Sequence, residues 1–242
     1  MSLKKIEIIY EDNDIIVVNK PANFLSTSDR FDKEKPNVVT YLRERYEEVF
    51  TVHRLDKETS GILCFARTSA AHKDLSQQFQ DRKVKQLYWV IIQGILIPTE
   101  GSIDKAIAPH PVIQGKVIVS NKGKKSLTHY KVVEQFKNFC LVEADIKTGR
   151  TRQIRVHFES IGFPLAVDKI YGSYSAFNLS QIKFKGFNLG KDQEERPLMT
   201  RTSLHSYQLD IIHPSTKEST TFLAPPPKDF RAVLKQLQKW NK

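Results

Sequence analysis

Ile6 to Tyr10 and Asp14 to Asn19 are runs rich in β-branched residues, joined by a polar turn, and they predict a hairpin. Lys20-Pro21-Ala22-Asn23 breaks it, and the polar stretch 26–36 reads as a mobile loop. Asn37 to Glu48 reads as a helix capped by Asn37, with Val38, Tyr41, Leu42 and Tyr46 forming an apolar stripe. Val52 to Asp56 fits a short extended segment, in which residues two apart share a face. Arg54 and Asp56 then point one way and Leu55 the other. Lys57 to Gly61 is turn chemistry, closed by Ser60-Gly61. Ile62 to Ala66 reads as a buried strand. Ser69 then caps a helix to about Asp81, with Ala71, Leu75 and Phe79 at four-residue spacing.

Gln86 to Gln93 predicts a central strand, with Tyr88, Val90 and Ile92 on one face and Leu87, Trp89 and Ile91 on the other. Further β runs follow at Ser102–Ala108, Lys116–Ser120, Ser126–Glu134 and Phe139–Ile146, and the two Lys/Gly-rich turns among them are hairpin-like. Thr151 can cap a helix whose Ile154, Phe158 and Ile161 fall on one apolar face. Residues 172–202 are irregular and carry Tyr174, Phe177, Phe184 and Phe187, with Lys183 and Lys185 interleaved. Leu204 to Ile212 and Ser219 to Leu223 return to strand. Pro225-Pro226-Pro227 ends the sheet, and Asp229 to Trp240 closes with a basic amphipathic helix. Strand runs with few helices between them give an α+β fold with a mixed, mostly antiparallel sheet flanked by helices. No repeat or internal boundary is visible, so 1–242 is expected to be a single domain.

Composition narrows the class. A chain of 242 residues with 40% hydrophobic and 27% charged residues is a globular balance. No apolar run reaches the roughly 18 residues of a membrane span. The apolar stretch near the N-terminus is interrupted by Glu7 and followed by Glu11-Asp12-Asn13-Asp14, so it is not a signal peptide. Cys64 and Cys140 lie in apolar runs, lack zinc spacing, and read as buried free thiols in a reducing compartment. The net charge of +11 is lopsided. Residues 1–121 hold 17 basic and 16 acidic residues, and 122–242 hold 21 and 11. This predicts a polyanion-facing surface in the second half.

Two stretches gather the chemistry. Thr51 to Gly61, T-V-H-R-L-D-K-E-T-S-G, sets Asp56 beside Arg54 just before a tight turn; by itself this equally describes an ordinary turn aspartate next to a solvated arginine. Lys147 to His157, K-T-G-R-T-R-Q-I-R-V-H, loads Arg150, Arg152 and Arg155 onto the start of a helix, where the dipole disfavours cations. Something anionic must offset them, either a phosphate or an internal carboxylate. The expected arrangement pairs Arg155 with Asp56 and turns Arg150 and Arg152 toward phosphate.

These residues carry a resemblance. His53-Arg54-Leu55-Asp56-x-x-Thr59-Ser60-Gly61 resembles the signature of the RluA-type pseudouridine synthases. Val17-Val18-Asn19-Lys20-Pro21 resembles the family's early motif, and Lys85-Gln86-Leu87-Tyr88 its strand with the pocket tyrosine. Thr148 to His157 resembles its later motif, and Gly162-x-Pro164 to Asp168-x-x-Tyr171-Gly172 the segment after it. Leu204-His205 and His213-Pro214 fit the closing pattern. The motifs stand in family order across residues 6–224. Arg152 departs from the pattern, since the family usually has histidine there. Residues 172–202 are longer than usual, and the small basic N-terminal domain of many members is not present in this sequence.

The resemblance implies isomerisation of a uridine within RNA to pseudouridine, in a catalytic fold with a central RNA-binding cleft and with no cofactor or metal. It implies Asp56 as nucleophile, kept ionised by Arg155, with Tyr88 stacking on the uracil, Arg54 entering the vacated base stack and Leu204 lining the pocket. It implies a ribosomal or transfer RNA partner, a cytoplasmic monomer and no membrane. The spacing around Val49-Phe50-Thr51 leans toward the transfer-RNA branch. Three other readings compete. A non-catalytic RNA-binding protein accounts for the basic half but not for Asp56, Tyr88 and Arg155 together. A metal-dependent hydrolase built on His53 and Asp56 lacks a metal motif. An RNA N-glycosylase differs only in releasing free uracil. The 172–202 segment is expected either to contact RNA or to be a flexible surface loop.

Overall fold

The computed structural model describes residues 6–29, 32, 35–183, 187 and 194–242. The first elements in chain order are β1 (Glu7–Glu11), β2 (Ile15–Lys20), α1 (Val38–Arg43), β3 (Phe50–Thr51), β4 (Ser60–Ala66) and α2 (Ser69–Gln80). The middle of the chain forms β5 (Lys85–Gln93), β6 (Glu100–Asp104), β7 (Ile107–Pro109), β8 (Val117–Val119), β9 (Leu127–Gln135) and β10 (Phe139–Ile146). After these come α3 (Gln153–Ser160), β11 (Leu204–Ile212), β12 (Ser219–Leu223) and α4 (Lys228–Trp240). The fold is α+β and its strand pairings are mostly antiparallel, as the alternation predicts. No described helix is long and apolar enough to cross a membrane.

The chain forms two compact units. The first comprises residues 1–87 and 205–225. Within it β1 pairs antiparallel with β2, β2 and β3 with β4, and β12 with β11, while β4 and β11 run parallel at His205↔Ser60 and Ser206↔Gly61. Every residue of β4 is buried. Ala71 and Leu75 of α2 pack with Ile62 and Cys64 of β4, Ile15 and Val17 of β2, and Leu209 of β11. Burial holds the Cys64 thiol up at about 12, so it is an inert packing group.

The second unit comprises residues 88–204 and 226–242. Here β9 pairs with β10 and β6, and β7 with β8. Phe230, Val233 and Leu237 of α4 close over Phe136, Phe139 and Leu141.

Local details correct several expectations. The Asn37 carboxamide caps α1, accepting from the Thr40 amide at 2.9 Å, but the helix stops at Arg43. Tyr46 ends it by docking elsewhere, its hydroxyl bonded to Glu11 and its ring beneath Arg67. Thr68, not Ser69, caps α2 by accepting from the Ala71 amide at 3.1 Å. The run Ser102–Ala108 breaks into β6 and β7 because Lys105 is drawn toward α3, its Nζ donating to the Ser160 carbonyl at 2.8 Å. The first Lys/Gly-rich turn closes β7–β8. The second does not join paired strands, and it packs so tightly on Ile107 that a Cβ at Gly123 would lie 2.4 Å from the Ile107 carbonyl carbon. Within 172–202, Phe177 is a core residue and not an exposed ring; it is fully buried and bonded through its backbone to Met199. Phe184 and Lys185, and the loop positions Arg30, Phe31, Lys33 and Glu34, lie outside the described residues.

Candidate active site

The first unit carries Arg54 and Asp56. After β3 the chain leaves its partner strand, and residues 52–56 form neither strand nor helix. Leu55 is buried, Arg54 is exposed and Asp56 is half-buried, which is the division of faces that the spacing predicts. The Asp56 carbonyl accepts from the Thr59 amide at 3.1 Å and sets the turn. Ser26 meets both backbone groups of Leu55, and the Lys57 carbonyl accepts from the Asn23 amide at 2.8 Å and from Lys20 Nζ at 3.2 Å. Lys20 is fully buried, and its ammonium also donates to the Phe24 carbonyl at 2.8 Å. That lysine stands in the early motif, so the motif holds the backbone of the residue that follows Asp56.

His53 is structural. Its Nε2 accepts the Cys64 amide at 3.0 Å and its ring stacks on Phe79 at 4.7 Å. The remaining proton therefore sits on Nδ1, which is buried, and burial lowers the imidazole to about 4. With its acceptor nitrogen committed to the backbone, His53 does not suit a hydrolytic metal site. Gly61 shows why the turn must end in glycine. Its φ is +112°, and a Cβ would lie 2.0 Å from the Ser206 carbonyl oxygen. Beside it, Ser60 Oγ and His205 Nδ1 lie 3.0 Å apart, and His205 Nε2 donates to the Ala224 carbonyl at 3.0 Å.

The second unit carries Tyr88, Arg150, Arg152, Arg155 and Leu204. Tyr88 is buried on β5, and Leu204 is buried as the first residue of β11, its carbonyl accepting from Arg201 Nη1 at 3.0 Å. Arg155 is buried on α3 and grips the fully buried Asp168 at two points. Nε donates to Oδ2 at 2.6 Å and Nη2 to Oδ1 at 2.7 Å. Asp168 Oδ1 also accepts the amides of Ile170 at 2.8 Å and Tyr171 at 3.0 Å. The Arg155 guanidinium lies over the Tyr171 ring, 5.3 Å from its centroid. An internal carboxylate thus offsets the one arginine that lies inside the helix.

Thr151 is not the cap of α3. Arg152 occupies that position in the left-handed region at φ 55°, with no side-chain cap bond. Gln153 organises the approach instead. Its Oε1 accepts from the Thr148 hydroxyl at 2.7 Å and the Arg150 amide at 3.1 Å, while Nε2 donates to the Leu127 carbonyl at 2.9 Å. The loop so held leaves Arg150 exposed and Arg152 half-buried. Further along the helix, burial lowers His157, whose Nε2 meets the Lys105 carbonyl at 2.9 Å.

Sequence alone points to no role for Asp168, Tyr171, Lys20, Ser26 or Gln153. Asp168, Tyr171, Lys20 and Gln153 stand in the motifs that carry the resemblance, which is the available signal; Ser26 stands in a stretch that reads only as loop. Among the described residues Asp12, Asp14 and His213 bring possible ligand atoms within 4.8 Å of one another. Those atoms already have work. Asp12 accepts the amides of Asp14 and Ile15 at 2.8 Å each, and His213 Nε2 at 2.8 Å. Partial burial raises the Asp12 carboxyl, but these donors outweigh it and hold it below its ordinary value. The cluster fastens the β1–β2 turn to the β11–β12 turn.

The family model for RNA pseudouridylate synthase matches residues 14–160. An uncharacterized RNA pseudouridine synthase of Aquifex aeolicus is 36% identical, over 96% of this chain and 73% of its own length. The ribosomal large subunit pseudouridine synthase D of Pseudomonas aeruginosa is 35% identical, over 97% of this chain and 72% of its own length. Among solved structures, human RNA pseudouridylate synthase domain containing 1 superposes with a TM-score of 0.70 at 26% identity, covering 94% of this chain and 86% of that one. On its motifs, its fold and these relatives, the chain belongs to the RNA pseudouridylate synthase family.

Proposed function

We propose that this chain converts one specific uridine in structured ribosomal or transfer RNA to pseudouridine, with Asp56 as nucleophile and the target base flipped out of its stack. The observation that carries the reading is the setting of Asp56. It is a carboxylate left half-exposed on a segment whose backbone is pinned on both sides. The N-glycosidic bond breaks, the uracil turns, and a carbon–carbon bond forms in its place. One proton leaves the base carbon and one is gained at nitrogen, so the reaction is an isomerisation that consumes no cofactor.

Arg155 is assigned to keep Asp56 ionised. Tyr88 is assigned to stack on the uracil and assist proton removal, Arg54 to fill the vacated stack, and Leu204 to line the pocket. Arg150 and Arg152 are assigned to phosphates. Residues 1–242 are taken as one catalytic domain serving this reaction, acting as a monomer in the cytoplasm. Ribosomal RNA is the first substrate to test, because the Pseudomonas aeruginosa relative is named for the large ribosomal subunit.

The test incubates the protein and Asp56→Asn with total RNA from cells lacking the gene, without added metal or cofactor, and maps pseudouridine along ribosomal and transfer RNA. A pseudouridine made only by the unaltered protein supports the reading and names the substrate. RNA binding by both proteins without product turns the assignment to a binding module, and released uracil turns it to an N-glycosylase.

A further inference from the structure

We propose that Ser26 is a positioning residue for Asp56, a single hydroxyl that fixes the backbone of the residue immediately before the carboxylate. The inference rests on Asp56 being the nucleophile. Ser26 is 3% exposed. Its Oγ donates to the Leu55 carbonyl at 2.9 Å and accepts from the Leu55 amide at 3.0 Å. Both backbone groups of Leu55 therefore end on one atom. A hydroxyl can donate and accept at once, which amide, ammonium and carboxylate atoms cannot do. Residues 52–56 form no strand, so this hydroxyl does locally what a sheet ladder does elsewhere.

The arrangement continues past the carboxylate. The Lys57 carbonyl is held by the Asn23 amide at 2.8 Å and by Lys20 Nζ at 3.2 Å. Both neighbours of Asp56 are thus tied to the stretch 20–26. Ser26 is anchored in turn, because the Val38 amide at the start of α1 donates to the adjacent Leu25 carbonyl at 2.9 Å. Leu55 is buried, and its side chain pulls the segment inward while Asp56 stays half-exposed. Removing the hydroxyl leaves a buried amide and a buried carbonyl without this partner. It also frees the torsions that aim the carboxylate, and a displacement of about 1 Å at a reacting group costs on the order of a hundredfold in rate.

The test measures steady-state and single-turnover kinetics of Ser26→Ala, Ser26→Thr and Asp56→Asn on the RNA substrate, well below the melting temperature. The folded fraction and amide exchange at Leu55 are followed in parallel. The expected result is a kcat for Ser26→Ala lowered roughly 10- to 100-fold at a KM within about twofold, faster exchange at Leu55, and recovery in Ser26→Thr to within about fivefold. A Ser26→Ala enzyme with unchanged kcat, alongside an inactive Asp56→Asn, overturns the role of Ser26 while leaving Asp56 in place. A loss of activity matched by loss of folded protein overturns it also, since the hydroxyl would then be merely structural. Activity in Asp56→Asn removes the nucleophile assignment and this inference with it.

Discussion

Arg155 and Asp168 form a buried two-point ion pair, with Nε and Nη2 of the arginine at 2.6 and 2.7 Å from the two carboxylate oxygens. Two further backbone amides converge on the same carboxylate, so nearly every polar atom in the pair is matched. Removing one partner leaves an uncompensated charge in the interior. Asp168→Asn is therefore expected to lose about 3 kcal/mol of stability in chemical denaturation. Its remaining folded protein is expected to lose activity, because the guanidinium is no longer aimed. Asp168→Asn with unaltered stability and rate would mean that the pair is dispensable.

Gly61 offers a sharper steric case. At φ +112° and with Ser206 backbone where a Cβ would stand, any side chain forces β4 away from β11. Gly61→Ala is expected to cost at least about 3 kcal/mol and to yield little folded protein. A soluble Gly61→Ala with a native melting temperature contradicts the close approach.

How far the sequence reveals this molecule depends on the range of the interaction. The β1–β2 hairpin, β5, β11 and β12 follow from alternation and turn residues, all local signals. The face pattern at Arg54, Leu55 and Asp56 was legible for the same reason. The cap of α2 was misplaced by one residue because Thr68 and Ser69 offer the same chemistry, and only backbone geometry chooses between them. Asp168 was invisible as a partner for Arg155 because the contact spans thirteen residues and a change of element. Ser26 was hidden deeper still. A serine in a polar loop carries no periodic signal, and its role exists only once Leu55, twenty-nine residues on, is placed against it.

Two buried imidazoles give the fold a pH dependence. Burial lowers His53 from 6.5 to about 4, and burial likewise lowers His157. Between those values the unfolded chain binds protons that the folded chain refuses, so stability is full above about pH 6.5 and falls as pH drops toward 4. At about 1.4 kcal/mol per unit, His53 contributes up to roughly 3 kcal/mol of that loss. Thermal melts from pH 7.5 to 4.5 should show the decline. His53→Gln, which keeps an acceptor for the Cys64 amide, should flatten it, and an unchanged slope in that variant would assign the dependence to other groups.

Arg152 separates stability from binding. It holds φ 55° at the start of α3, a conformation that disfavours a side chain and suits glycine, and it receives no compensating cap bond from its own side chain. If RNA phosphate is what retains an arginine there, Arg152→Gly should raise stability by up to about 1 kcal/mol while weakening RNA binding. The salt dependence gives the independent readout. Loss of one phosphate contact should reduce the slope of log affinity against log salt by about 1, in Arg152→Gly and in Arg150→Ala alike, with kcat at saturating RNA unchanged. A stabilised Arg152→Gly that binds RNA with the original salt slope would show that the strained arginine serves something other than phosphate.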